Sequence, residues 1–408
     1  MRGIMAKKAK AQKKTDGPAV PASIMAAYRA VAEKKIGVGS YSGSDHKDHQ
    51  IGVLLPSLAL EYLLGSNVLY LGALFGLAGP SQSFKSALAM EFGKIIASMG
   101  GVNFLSETEG GKISAPMMAD IYGDLIDRLD IRLAQSVEQA QQYLSFTAGY
   151  LKNQFPARNQ LAGLFLDSLN GPAANERTEK IEKDGYASRD FPVEALLWSK
   201  WFQSFAPKLT GWPITLIFVN HKKLDINNPK SFRHPGGDAQ DFYSTVYMHI
   251  ARVRTNEGTD TIVNHVKVAT VKHSFMPPGR RINLPFVLDK VTKHMGFDWG
   301  HATAALLVDE KLVPSVKDII KVVSSSKSMT ALTRTFSCKR LGLSNVSGAE
   351  LGAAVHADVE LMRELREALY IHINDVWNGT MPVDEHPLMQ YNSCETETGS
   401  NDDPLDMS

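Results

Sequence analysis

The sequence predicts an α/β protein whose mainly parallel sheet is covered by helices. Three observations predict it. The run Leu71 to Ser86, LGALFGLAGPSQSFKS, breaks from apolar residues into Gly79-Pro80-Ser81-Gln82-Ser83-Phe84-Lys85-Ser86, and the amphipathic ALAMEFGKIIASMG follows at once. That is the strand, turn, helix order of a phosphate-binding loop. From about residue 50 to 295, strand-like and helix-like patterns alternate, which argues parallel strands joined by crossover helices. Polar residues close the apolar strands, and in such sheets ligands sit at the strands' carboxyl ends.

The loop from Gly79 to Ser86 comes first because its chemistry is most specific. Backbone N–H groups there and at the helix N-terminus can point at phosphate oxygens, and the helix dipole favours their charge. Lys85 is placed to reach the β- and γ-phosphates of a nucleotide, and the Ser86 hydroxyl to ligate Mg²⁺. One position departs from the usual pattern, with Phe84 where Gly precedes Lys. A phenylalanine is costly at positive φ, so either Phe84 takes ordinary helical angles or the loop is altered.

The remaining elements follow in order. Residues 1–20 are a basic tail with Arg2, Lys7, Lys8, Lys10, Lys13 and Lys14. In residues 21–49, PASIMAAYRAVAEK reads as an amphipathic helix followed by a Gly/Ser-rich linker. Within the core, 50–295, the strands GVNFLSETE, LAGLFLDSL and WPITLIFVNH alternate with the helices VEQAQQYLSFTAGYL and FPVEALLWSKWFQSFAPKL. DFYSTVYMHIARVR, HVKVATVKHSF and INLPFVL then alternate as antiparallel strands. Residues 296–390 read as a small, mainly helical domain, and 391–408 as an acidic tail holding Glu395, Glu397, Asp402, Asp403 and Asp406 without a base.

Composition bounds the class. The 408 residues are 44% hydrophobic and 21% charged, with mean hydropathy −0.15, enough for one large core and a smaller domain. No apolar run reaches the length of a membrane span and no secretory pattern is present. Cys338 and Cys394 offer neither a disulfide framework nor metal-ligand spacing, so a reducing cytoplasm is the expected location. A net charge of +1 does not itself call for nucleic acid.

Several constellations add chemistry. LAGLFLDSL presents Asp167 as a Walker-B carboxylate does, about 80 residues after the loop, where it would hold Mg²⁺ through water. Glu107 or Glu109 could lie across a γ-phosphate and orient the attacking water; the spacing favours Glu109, and the alternative is an exposed loop acid before Gly110-Gly111. Asn220-His221 ends the most apolar strand, where an amide or imidazole would sense the γ-phosphate. Two long polar segments stand out. Residues 170–190 carry Arg177, Lys180, Lys183 and Arg189, and residues 221–237 carry Lys222, Lys223, Lys230, Phe232, Arg233 and His234. Cations with an aromatic suit phosphates and bases of DNA; the alternative is a solvated surface loop.

Together these pieces resemble the RecA family of recombinases, and most the bacteriophage UvsX-type branch. GPSQSFKS is similar to that branch's phosphate loop, which also has Phe before Lys. ETEGG resembles its acid-Ser-Glu segment, LFLDS its Walker-B strand, and FVNH the strand ending in Asn plus a switch residue. PGGDAQDFYSTVYMHIARV is similar to the family's GG…FY segment. The resemblance covers roughly residues 60–290 and implies a RecA-like P-loop ATPase core with an N-terminal oligomerisation helix. It implies ATP and Mg²⁺ as cofactors, with Glu109 as the catalytic carboxylate and His221 as the switch. DNA-dependent ATP hydrolysis would drive helical filaments on single-stranded DNA, pairing with homologous duplex and strand exchange, in recombination and repair. Single-strand-binding and loading proteins would be partners. Gly236 and Gly237 would close the second DNA loop, Phe242 would lie in a subunit contact, and Lys272 would reach ATP across that contact. Ser274 and Asp241 stand where the family has lysines. Two other readings stay open: a hexameric helicase of the same core fold, and an accessory DNA-binding filament protein with little ATP turnover.

Overall fold

The computed structural model describes residues 52–111, 115–184, 193–221, 223–225, 228–233, 239–276, 278–307, 320–323 and 334–377. The N-terminal helix and linker, both tails, Arg189, Lys222, His234, Gly236 and Gly237 lie outside the described residues.

A small antiparallel pair opens the described chain, β1 (Gly52–Leu54) with β2 (Val68–Tyr70), spanning the buried helix α1 (Leu58–Leu64). Alternating elements follow: β3 (Leu74–Gly79), α2 (Lys85–Ser98), β4 (Val102–Glu107), α3 (Ala115–Tyr122), β5 (Leu129–Leu133), α4 (Val137–Gln154), β6 (Ala162–Asp167), α5 (Asn175–Asp184), α6 (Val193–Leu209) and β7 (Ile214–His221). A hairpin of β8 (Lys223–Asp225) and β9 (Asn228–Arg233) leads to α7 (Ala239–Tyr243) and the long strands β10 (Val246–Glu257), β11 (Thr261–His273) and β12 (Arg281–Asp289), with β13 (Met295–Phe297) after them. The main sheet has the order β13-β12-β11-β10-β3-β7-β6-β4-β5. Neighbours from β10 to β5 are parallel, and those from β10 to β13 antiparallel. The expected α/β architecture, parallel first and antiparallel last, is therefore observed.

Strand alternation explains the two covering layers. Phe75, Leu77, Phe165, Ile217 and Val219 face one apolar layer, containing α1, α2 and α3. Their neighbours Leu74, Ala78, Leu164, Leu166, Leu216 and Phe218 face the other, with α4 and α6. Strands buried on both faces read as near-continuous apolar runs, and β3, β6 and β7 do so up to the polar residues that close β6 and β7, with Thr215 the one polar side chain before them. Ser136 starts α4 by accepting the Gln139 N–H on its side chain, satisfying one free helical donor.

The region after residue 296 holds α8 (Trp299–Leu307), α9 (Gly348–Ala357) and α10 (Val359–Trp377), together with a three-stranded antiparallel sheet, β14 (Ile320–Val322), β15 (Phe336–Cys338) and β16 (Leu343–Val346). Leu361, Leu365 and Leu369 of α10 join the same apolar cluster as α1. Among the described residues no helix is long and apolar enough to cross a membrane.

Candidate nucleotide site

Parallel register builds the site. β3 ends at Gly79, directly opposite His221 at the end of β7. β6 sets Asp167 opposite Val219, and β4 sets Glu107 opposite Asp167. Adjacent strands lie about 4.8 Å apart, so the polar strand ends form one row. Gly79 is required by close approach, because a Cβ there would sit 2.0 Å from the Ile250 carbonyl oxygen of β10.

The turn after β3 resolves the question raised by Phe84. It adopts φ 65° and ψ 25°, the left-handed region, and Gln82 has φ 56°. Such a conformation costs about 1–3 kcal/mol. The Phe84 ring stacks on Phe286 of β12, with centroids 4.5 Å apart and planes at 28°. An aromatic pair contributes about 0.5–1.5 kcal/mol beyond its area burial, so the stack offsets much of the strain. Phe84 therefore does not take ordinary helical angles: it holds the left-handed conformation that a glycine adopts without strain, and an aromatic contact accompanies it.

A pocket of about 400 Å³ opens between loop and strand ends. Ser81, Gln82, Ser83, Phe84, Lys85 and Ser86 form one wall. Glu107, Glu109, Asp167 and His221 form the floor, with Met117 and Arg252 also lining it. Lys85 is buried, and its Nζ donates to the Pro80 carbonyl at 2.6 Å and to Ser83 Oγ at 3.4 Å. Burial lowers its pKa, against the pull of Asp167 and Glu109. Burial pushes the Asp167 carboxyl up to about 6; the Ser86 hydroxyl bonded to it opposes this, and Glu109 adds to it.

The two glutamates have different jobs. Glu107 accepts the Glu109 N–H on Oε1 and the Gly111 N–H on Oε2, each at 2.7 Å. Glu109 Oε1 instead accepts the Ser168 hydroxyl at 2.7 Å and lies 2.8 Å from His221 Nε2. Glu107 thus holds backbone, whereas Glu109 and His221 meet in the pocket. Asn220 is buried and not among the pocket-lining residues. Its Oδ1 accepts the His221 N–H at 2.8 Å, and its Nδ2 donates to Gln240 Oε1 at 2.6 Å.

The residues read as DNA contacts divide. Arg177, Lys180 and Lys183 lie on α5, inside the segment expected to be a loop, interleaved with Glu176, Glu179 and Glu182. Arg177 pairs with Glu194 at 3.1 Å and Lys180 with Glu176 at 2.8 Å. Lys223, Lys230, Phe232 and Arg233 lie on the β8–β9 hairpin, which begins beside His221. Phe242 is 75% exposed. Lys272 donates to the Asp241 and Phe242 carbonyls and is not among the residues lining the pocket of its own chain.

The sequence reading assigns no part to Thr108, Ser168, Met117 or Arg252. Arg252 carried a usable signal: it keeps the face of Met248 and Ile250 by strand alternation, past the last residue of β10 paired with β3.

The Mg²⁺ expectation can be tested on these residues. A hydroxyl from Ser86 and a buried carboxylate from Asp167 meet in the pocket, a hard oxygen pair suited to that cation. Among the described residues no group of three or more His, Cys, Asp or Glu could hold a metal alone, so the other oxygens would come from nucleotide and water.

No family model matches the chain. Protein RecA of Listeria welshimeri is 26% identical over 255 residues, covering 61% of this chain and 69% of the relative. That of Listeria ivanovii aligns with the same identity and coverage. Protein RecA of Tropheryma whipplei is 27% identical over 225 residues, covering 54% of this chain and 48% of the relative. With these alignments on a RecA-like α/β core, the chain is a distant homologue of the RecA proteins.

Proposed function

We propose that the chain is an ATP-dependent DNA strand-exchange protein that forms helical filaments on single-stranded DNA and pairs it with homologous duplex. The observation that carries the reading is the convergence of Lys85, Ser86, Asp167, Glu109 and His221 on one pocket at the carboxyl ends of neighbouring parallel strands. Homology to RecA supports a DNA-dependent ATPase in recombination or repair. Phe before Lys in the loop and His at the switch position support the bacteriophage UvsX-type branch.

Each residue then has a physical task. The loop N–H groups and Lys85 bind the phosphates, and Lys85 leaves the Pro80 carbonyl to do so. Ser86 and Asp167 would hold Mg²⁺, which when bound would neutralise phosphate charge on the nucleotide. Glu109 accepts a proton from the attacking water. His221 turns from Glu109 toward the γ-phosphate and passes that state to the β8–β9 hairpin; Lys223, Lys230, Phe232 and Arg233, and also Lys222, His234, Gly236 and Gly237, would contact DNA. Arg177, Lys180, Lys183 and Arg189 form the second contact. Phe242 meets the next subunit, and Lys272 adds charge to its nucleotide. Single-strand-binding and loading proteins would assist assembly in the cytoplasm.

The test is strand exchange between a circular single strand and homologous linear duplex with ATP and Mg²⁺, paired with electron microscopy. Joint molecules and open helical filaments are expected, both absent with Lys85→Ala. Closed rings that unwind forked duplex would replace this reading with the helicase. Filaments without ATP turnover would replace it with the accessory protein.

A further inference from the structure

We propose that Ser168 is a positioning residue for the carboxylate that takes the water proton, and that Thr108 fixes Ser168 for this task. The inference rests on the reading of Glu109 above. Ionised, Glu109 is acceptor-only, and its Oε1 accepts a hydrogen bond from the Ser168 hydroxyl at 2.7 Å while His221 Nε2 lies 2.8 Å away. A hydrogen bond to a charged acceptor is roughly twice as strong as a neutral one, and Ser168 is fully buried.

The serine is itself clamped. Its N–H donates to Thr108 Oγ1 at 2.7 Å, and the Thr108 hydroxyl donates back to the Ser168 carbonyl at 2.7 Å. The Thr108 N–H donates to the Asp167 carbonyl at 2.8 Å. One hydroxyl therefore satisfies both backbone groups of the residue that aims the carboxylate. Gly171 closes over the clamp; a Cβ there would sit 2.4 Å from Thr108 Oγ1. Glu107 holds the Glu109 backbone from the other side.

Ser168 and His221 are not equivalent donors. His221 ends β7 and leads into the hairpin, so it can leave with that segment. Ser168 directly follows β6 and is tied through Thr108 to the end of the neighbouring β4. When His221 moves to the γ-phosphate, Ser168 keeps Glu109 aimed across the pocket. Thr108 and Ser168 thus separate aim from sensing.

The test uses the full chain as Ser168→Ala, Thr108→Val, Thr108→Ser and Glu109→Gln. DNA-stimulated ATP hydrolysis is measured beside the Kd of a fluorescent ATP analogue. Ser168→Ala is expected to lower kcat by about tenfold or more while Kd stays within about threefold, the split that marks a lost transition-state interaction. Thr108→Val, matched in shape but lacking the hydroxyl, should show the same split, and Thr108→Ser should recover most of the rate. An unchanged kcat in Ser168→Ala, or a Kd that weakens in step with kcat, overturns the inference. Should Ser168→Ala fail to fold, the two Thr108 variants decide: equal kcat in both overturns it. Full activity in Glu109→Gln removes the reading beneath. Inactive Glu109→Gln with unimpaired Ser168→Ala removes only the positioning role.

Discussion

Phe84 and Phe286 stack at 4.5 Å across the phosphate loop, and this contact accommodates a left-handed phenylalanine directly before the phosphate-binding lysine. The pairing makes an unusual ordering testable. Phe84→Ala keeps the positive φ and loses the ring, whereas Phe84→Gly loses the ring and the strain together. Left-handed angles cost an L-residue about 1–2 kcal/mol more than glycine, so Phe84→Gly should be the more stable variant by about 1 kcal/mol in denaturant unfolding. Phe84→Ala at least as stable as Phe84→Gly would contradict the strain assignment.

Phe286→Ala tests the same pair from the other side. The ring is buried in the main apolar cluster, and such truncations cost about 3–5 kcal/mol. The loop should also lose its partner, so nucleotide affinity should fall along with stability. A stability loss with unchanged nucleotide Kd would mean the stack has no bearing on the loop.

Several parts of this arrangement were legible in the residues. Leu71 to Ser86 and the strand ending at Asp167 announce themselves because the chemistry is contiguous and the flanking strands are apolar throughout. The Phe84–Phe286 contact is not legible, since it joins positions far apart in sequence through the β10–β12 meander. The Thr108–Ser168–Glu109 clamp depends on the β4–β6 register that sets Glu107 opposite Asp167, which no local pattern encodes. Helix α5 is hidden because it lacks an apolar stripe; the visible support is an i,i+4 pair, Glu176 with Lys180, and the Arg177–Glu194 contact. β14, β15 and β16 are too short for alternation to show.

Histidine burial predicts acid sensitivity. His273 Nε2 donates to the Leu64 carbonyl at 2.8 Å, while Nδ1 accepts the Phe275 and Met276 N–H groups. Burial, with Arg280 adding to it, lowers its pKa to about 4. The unfolded chain, with a histidine pKa near 6.5, therefore binds more protons between these values. Stability should fall as pH drops from about 6.5 toward 4, by about 3 kcal/mol from this group. His356, half-buried and accepting the Leu58 N–H, shifts in the same direction, by burial first and Arg366 second. Unfolding midpoints across this range check it, and His273→Gln should flatten the curve.

Glu61 of α1 and Arg366 of α10 form a bidentate pair with both bonds at 2.8 Å, the carboxylate fully buried. Arg366→Ala leaves that carboxylate unpaired and should cost about 3–5 kcal/mol. The double variant Glu61→Gln with Arg366→Met should lose less, because no charge is left stranded. Equal losses in the single and double variants would show that packing, not charge, dominates.

The most direct test of the central claim is ATP hydrolysis with and without single-stranded DNA, with DNA affinity followed in ATP and in ADP, for the unaltered chain and for Lys85→Ala. The account predicts hydrolysis stimulated by DNA, tighter DNA binding in ATP than in ADP, and loss of both in Lys85→Ala. DNA affinity indifferent to nucleotide, or an unimpaired Lys85→Ala variant, would contradict it.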